Sequence, residues 1–252
     1  MRKILTALLL VLAPALGTAA GGGGVKLDSM EPELSDKASL QRGARIFTNN
    51  CMGCHSAKYA RYKQVGQDIG IPKELYEQNL IFTGARFSEH MEIGMPSEQA
   101  AQWFGQAPPD LTLTARVHGP DWLYSYLRGF YRDDSRPHGV NNVVFENVGM
   151  PHVLANKGGL CADKPNIGGE SHVDAATGEI VNGSICDDWA IEGSMEPKEF
   201  DRAMYDLVNF LVYLGEPVLM DRRRIGVYVL IVIGIFFIFA HMLNREYWKD
   251  IH

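Results

Sequence analysis

Cys51-Met52-Gly53-Cys54-His55 decides how this chain is read. Two thiols three residues apart, followed at once by an imidazole, are what covalent attachment of a c-type haem requires: each thiol adds across one vinyl group, and the adjacent His is held where a ring nitrogen can bind the iron. A thioredoxin-like dithiol should open a helix after a strand in a βαβ unit, and a structural zinc site needs a second ligand pair at suitable spacing. Neither context is present. The other thiols, Cys161 and Cys186, lie more than a hundred residues away and are not a close pair.

Working outward, both ends of the 252-residue chain are distinctive. Met1-Arg2-Lys3 precedes an apolar run from Ile4 to Leu16 and then small residues, Gly17-Thr18-Ala19-Ala20 followed by four glycines. That order is a secretory signal peptide over residues 1–20, with cleavage expected between Ala19 and Gly24, because a run this short does not cross a bilayer. The second run, Ile225 to Leu243, has nineteen residues and no formal charge. As a helix it is about 28 Å long, close to the ~30 Å hydrocarbon core, and should span a membrane. Arg222, Arg223, Arg224, Arg245 and Lys249, with Tyr247 and Trp248, frame it at headgroup level.

Three basic residues precede this span and two follow it, but export of the long N-terminal domain outweighs so small a bias. The expected order is a signal peptide (1–20), an exported haem domain in the periplasm (21–221), a transmembrane helix (222–244) and a cytoplasmic tail (245–252). Residues 1–20 carry +2 and residues 222–252 carry +3, so the formal charge of −6 places −11 on residues 21–221. Such a domain attracts a basic soluble partner and repels nucleic acid.

Within it, residues 21 to about 36 read as an extended arm. A helix is predicted from Asp36 to Asn49, with Leu40, Ala44 and Phe47 on one face, delivering the chain to Cys51. Pro197 to Leu214 carries a strong apolar stripe, Phe200, Ala203, Met204, Leu207, Val208, Leu211 and Leu214, and Gly215 and Pro217 should break it from the membrane span. Weaker patterns predict short helices over Pro72–Phe82 and Asp121–Tyr131. Strand alternation is sparse, and Gly and Pro clusters at 105–109, 137–139 and 149–169 mark loops expected to be held by something other than backbone ladders, for which a buried haem is suited. The fold class is therefore mainly α: a c-type cytochrome with long haem-packing loops and one C-terminal transmembrane helix. Cys161 and Cys186 close a loop in an oxidising compartment, which predicts a disulfide worth about 3 kcal/mol.

An electron-transfer haem needs a sixth ligand, and a thioether favours the reduced iron relative to a second imidazole. By position, Met91, Met95, Met150, Met195 and Met204 remain open. Met204 lies on a core-facing stripe. Gly94-Met95-Pro96 and Gly149-Met150-Pro151 share one setting, and their chemistry leaves them nearly tied; His118 and His152 are the rival imidazoles.

The exported Cys-x-x-Cys-His domain, the acidic surface and the terminal membrane helix together resemble cytochrome c1, the haem subunit of the quinol:cytochrome c oxidoreductase complex. The resemblance covers Cys51 to Ser56, Ala107-Pro108-Pro109-Asp110-Leu111, Asn141 to Pro151 and Arg245-Glu246-Tyr247-Trp248-Lys249. It implies one covalent haem c on Cys51 and Cys54, with His55 and Met150 as axial ligands of the iron. It further implies that Pro108 and Pro109 pack on the haem and that Arg116 approaches a propionate. The family pattern can carry two arginines at that point, whereas Arg116 is the one present before His118. The partners implied are cytochrome b, the Rieske iron-sulfur subunit and a c-type cytochrome acceptor, within a dimeric respiratory complex in the bacterial inner membrane. No catalytic group of the chain's own is expected. The competing functions are a free-standing membrane-anchored cytochrome donating to an oxidase or reductase, and a five-coordinate haem enzyme or gas sensor.

Overall fold

The chain's computed structural model describes residues 25–169, 171–173, 180–182 and 185–249. The expected signal peptide and residues 250–252 of the tail lie outside the described residues. Helix α1 spans Lys37–Asn50, capped by Asp36, whose carboxylate accepts from the Ser39 N–H at 3.0 Å. Its buried face holds Leu40, Ala44 and Phe47, as the periodicity requires, and also Gly43.

The partner of that face lies at the far end of the exported domain. Helix α8, Pro197–Gly215, buries Phe200, Met204, Leu207, Val208, Leu211 and Leu214 of the stripe, with Ala203 half-buried, and in its second half Asp206, Asn209 and Phe210 as well. It crosses α1 at Gly43, where an added Cβ would collide with the Asp206 carbonyl and lie 2.7 Å from the Phe210 Cβ. On one side of the crossing Arg42 makes a two-point bond to the buried Asp206 carboxylate (Nε–Oδ2 2.6 Å, Nη2–Oδ1 2.9 Å). On the other, the Phe47 and Phe210 rings meet at 5.7 Å.

Around this pair stand smaller elements: β1 (Ala57–Arg61), α2 (Tyr62–Ile69), α3 (Lys73–Leu80), β2 (His90–Met91), α4 (Ser97–Phe104), α5 (Thr114–His118) and α6 (Pro120–Arg128). Then come β3 (Phe130–Arg132), β4 (Val140–Asn142), α7 (Ala155–Gly158), β5 (Leu160–Cys161), β6 (Ser171–Val173), β7 (Ile180–Asn182) and β8 (Trp189–Ile191). The predicted helices over 72–82 and 121–131 correspond to α3 and α6. Neither α2 nor α4 is among the predicted helices: Tyr62, Val65, Gly66 and Ile69 give α2 a buried face, whereas α4 buries only Ala100.

The loops differ from expectation in one respect. A four-stranded sheet in the order β4-β3-β5-β8 joins residues 130–132, 140–142, 160–161 and 189–191, with β3 antiparallel to β4 and parallel to β5. Its strands have two or three residues, too short for alternation to register in a sequence. Cys161 in β5 is bonded to Cys186, with Cα atoms 5.3 Å apart and Tyr131 packed beside them.

The arm before α1 is extended but not loose. Arg128 of α6, with its side chain wholly buried, binds Asp28 of the arm and Asp201 of α8, each at 2.7 Å, and lies 4.4 Å over the Tyr124 ring. Asp28 also accepts the Gly168 N–H at 2.8 Å. A buried guanidinium without its carboxylates would be severely destabilising, so this cluster holds arm, α6, α8 and the 168 loop in one arrangement.

After a break at residues 216–218, helix α9 runs Leu219–Tyr247, about 44 Å at 1.5 Å per residue, with none of its residues buried against the domain. It contains the whole predicted span and extends beyond the apolar run at both ends; in the flank before that run Arg222 pairs with Glu216 and Arg224 with Asp221.

The contact at Gly43 yields a direct test. Gly43→Ala gains about 1 kcal/mol of helix propensity, but overpacking against backbone costs about 3 kcal/mol. A net loss of about 2 kcal/mol is expected in chemical denaturation of the detergent-purified protein, with reduced haem incorporation.

Candidate haem site

The Cys-x-x-Cys-His segment is the frayed end of α1. The Cys51 and Met52 N–H groups both donate to the Phe47 carbonyl, and those of Cys54 and His55 donate to the Cys51 carbonyl, at 2.9–3.0 Å. These bonds close one turn around Cys51 and Cys54, and neither thiol is in a disulfide. Burial pushes the Cys51 thiol up to about 12, so it is a neutral thiol here.

His55 is oriented by a distant segment. Its Nδ1 lies 2.7 Å from the Pro109 carbonyl, and since a carbonyl only accepts, Nδ1 carries the proton. Burial moves the imidazole below its ordinary range, with the Pro109 bond opposing in part. The ring is therefore neutral and its Nε2 lone pair is available, the state and orientation a metal-binding imidazole needs.

The segment carrying Pro108 and Pro109 is bolted to the chain just past His55. Leu111 N–H donates to the Ser56 carbonyl (2.9 Å), and Lys58 N–H to Asp110 Oδ2 (2.8 Å). Asp110 Oδ1 in turn accepts the Thr112 N–H at 3.0 Å. The resemblance had implied an apolar role for Pro108 and Pro109; the carbonyl of Pro109 as the orienting acceptor for His55 was not foreseen, because nothing local in the sequence relates residues 54 apart. Arg116, in the last turn of α5, is exposed and forms no ion pair among the described residues. Its stem runs past Gly215 of α8, where a Cβ would stand 3.1 Å from the Arg116 Cγ.

Met150 belongs to a second group of residues. It is half-buried against the cluster of Phe130, Val140, Val148 and Leu160, and the Tyr126 hydroxyl donates to its sulfur at 3.5 Å. Of the other methionines, Met91 and Met204 are completely covered in the main core, and Met195 packs against it. Met95 is half-buried and joins no core cluster among the described residues. The rival imidazoles are otherwise engaged: His118 stacks on Trp122 at 4.2 Å. His152 donates from Nε2 to the Gly159 carbonyl (3.0 Å), stacks on Phe130 at 4.5 Å and is driven down to about 4 by burial.

Two free thiols on one turn, a neutral imidazole with Nδ1 committed, and a half-buried thioether are a donor set that fits a covalently attached haem. Among the described residues no cluster of three or more His, Cys, Asp or Glu side chains could hold a metal by itself. On a mainly helical domain with one apolar terminal helix, the class defined is a membrane-anchored c-type cytochrome.

Comparison with known proteins narrows this. Residues 31–251 match the Cytochrome C1 family. The chain is 45% identical to cytochrome c1 of Allochromatium vinosum and 39% identical to the ammonia monooxygenase gamma subunit of Nitrosomonas europaea, in both cases over the full length of each chain. It is 25% identical to cytochrome c1 of Rhodospirillum rubrum, over 100% of this chain and 98% of that one. The chain belongs to the cytochrome c1 family. Its cofactor is a covalently bound haem c, and it is an electron-transfer haem subunit, membrane-anchored, of the bc1 complex that also contains cytochrome b and the Rieske protein.

The Asp110 bracket is testable. Asp110→Ala removes the side-chain acceptors of two backbone N–H groups, those of Lys58 and Thr112, and should cost about 1–2 kcal/mol, seen as a lower denaturant midpoint without a change in slope. Asp110→Asn, keeping one acceptor oxygen, should recover about half of that loss.

Proposed function

We propose that this chain relays single electrons from the Rieske iron-sulfur subunit, during quinol oxidation, to a basic c-type cytochrome. In this reading Cys51 and Cys54 hold the haem covalently, His55 and Met150 bind its iron, Pro108 and Pro109 wall it, and Arg116 pairs with a propionate. Bound haem supplies the one-electron ferric/ferrous couple.

What the chain itself contributes is positioning. Burial keeps the His55 ring neutral and the Pro109 carbonyl fixes its tautomer and orientation, so Nε2 is always presented in the same direction. The Met150 thioether is a weak donor in an apolar patch, and both features favour the reduced state. Arg116, exposed and free of carboxylate partners among the described residues, is available to pair two propionate oxygens at once. The observation that carries the reading is the His55–Pro109 bond, which joins the attachment motif to the Pro-Pro-Asp-Leu segment in a chain of this family.

The same proposal takes residues 1–20 as a cleaved signal peptide, 21–221 as the periplasmic haem domain, 222–244 as the single membrane span and 245–252 as a cytoplasmic tail, in a dimeric complex. The apolar run of α9 and its basic flanks support the anchor, and the −11 charge of residues 21–221 supports a basic acceptor.

Purification in mild detergent tests the donor side. The expected result is co-purifying b-type haem and quinol-dependent, antimycin-sensitive reduction of the c-type band; a lone c-type band would favour a free-standing cytochrome. On the acceptor side, association with a basic c-type cytochrome should slow steeply as salt rises, because screening shortens to about 8 Å at physiological ionic strength. A rate insensitive to salt would remove the electrostatic docking model.

A further inference from the structure

The Tyr126 hydroxyl sits where a phenylalanine would pack as well. On α6 and its exit, Trp122, Tyr126 and Phe130 recur every four residues. The Tyr126 ring lies flat on Trp122 (4.9 Å, 8°) and receives Phe130 edge-on (5.4 Å, 68°). Its carbonyl accepts from Asn142 Nδ2 at 2.8 Å, and Asn142 is completely buried. Backbone and ring are thus both fixed, and the O–H has one acceptor among the described residues, the Met150 sulfur at 3.5 Å.

A hydroxyl placed beside Phe130, Val140, Val148 and Leu160 loses its water and gains in return a thioether, which is a weak acceptor. Packing alone does not call for that oxygen, but sulfur chemistry does. A thioether has two lone pairs; a donor on one leaves the other with a defined direction and less electron density to give.

We infer that Tyr126 is a positioning residue for the axial thioether: its O–H holds the Met150 sulfur in one orientation and weakens its donation, shifting the haem toward the reduced state. The inference rests on Met150 being the sixth ligand.

The test is Tyr126→Phe in the full-length, haem-loaded protein in detergent, read by redox titration and by the proton spectrum of the reduced form, where a ligand methionine methyl is displaced by the porphyrin ring current. The equilibrium should move about three- to tenfold toward oxidised haem, with the displaced methyl signal retained but shifted. Tyr126→Leu removes the same O–H with a different apolar shape and must shift the equilibrium in the same direction. Tyr205→Phe, which loses a phenol bond to the Glu31 carbonyl, should leave it unmoved. An unchanged equilibrium in Tyr126→Phe, with the methyl signal in place, overturns the inference. Failure of the ligand assignment gives a different result, namely a displaced methyl signal that survives in Met150→Leu.

Discussion

The crossing of α1 and α8 at Gly43 is the constraint on which the rest of the domain depends. With no side chain at that point, the α1 backbone lies directly on the Asp206 carbonyl, and the paired Arg42 and Asp206 and the Phe47–Phe210 contact fix the approach on either side. Because Cys51 follows α1 without a break, this crossing aims the attachment motif. Helix α8 serves the other wall as well, since Gly215 lies against the Arg116 stem and the Thr112 carbonyl. One long buried helix therefore positions both segments that meet at His55.

That meeting is polar where the helix crossing is largely apolar. A backbone carbonyl holds the imidazole, and one carboxylate, Asp110, accepts from both sides of the junction. Hydrogen bonds are directional in a way that apolar contacts are not, so the ring has one orientation and one tautomer. The Arg128 cluster performs a comparable task elsewhere in the domain, where its two carboxylates bind the arm and α8 to α6, the helix that carries Trp122 and Tyr126.

Legibility followed the range of the interaction. The stripe of Leu40, Ala44 and Phe47, the stripe from Phe200 to Leu214, the apolar run of 225–243 and the Cys-x-x-Cys-His pentapeptide are local patterns, and each was readable. The four-stranded sheet was not, because strands as short as Leu160–Cys161 have no periodicity to display. Tyr126 was visible only as part of an apolar face, and its hydroxyl acquires meaning from Met150, 24 residues on.

By itself the sequence determined the chemistry available: which thiols, imidazoles and thioethers exist, that one helix leads directly into the motif, and that one segment is long and apolar enough to cross a bilayer. Tertiary structure alone decided which donors are presented and in what state. It committed His118 and His152 to ring stacking, covered Met91 and Met204, set the proton on His55 Nδ1 through Pro109, and brought a phenol to the sulfur of Met150. The physical reason is that residue identity and helical period are properties of neighbours along the chain, whereas burial and hydrogen-bond partnership depend on groups that only folding brings together.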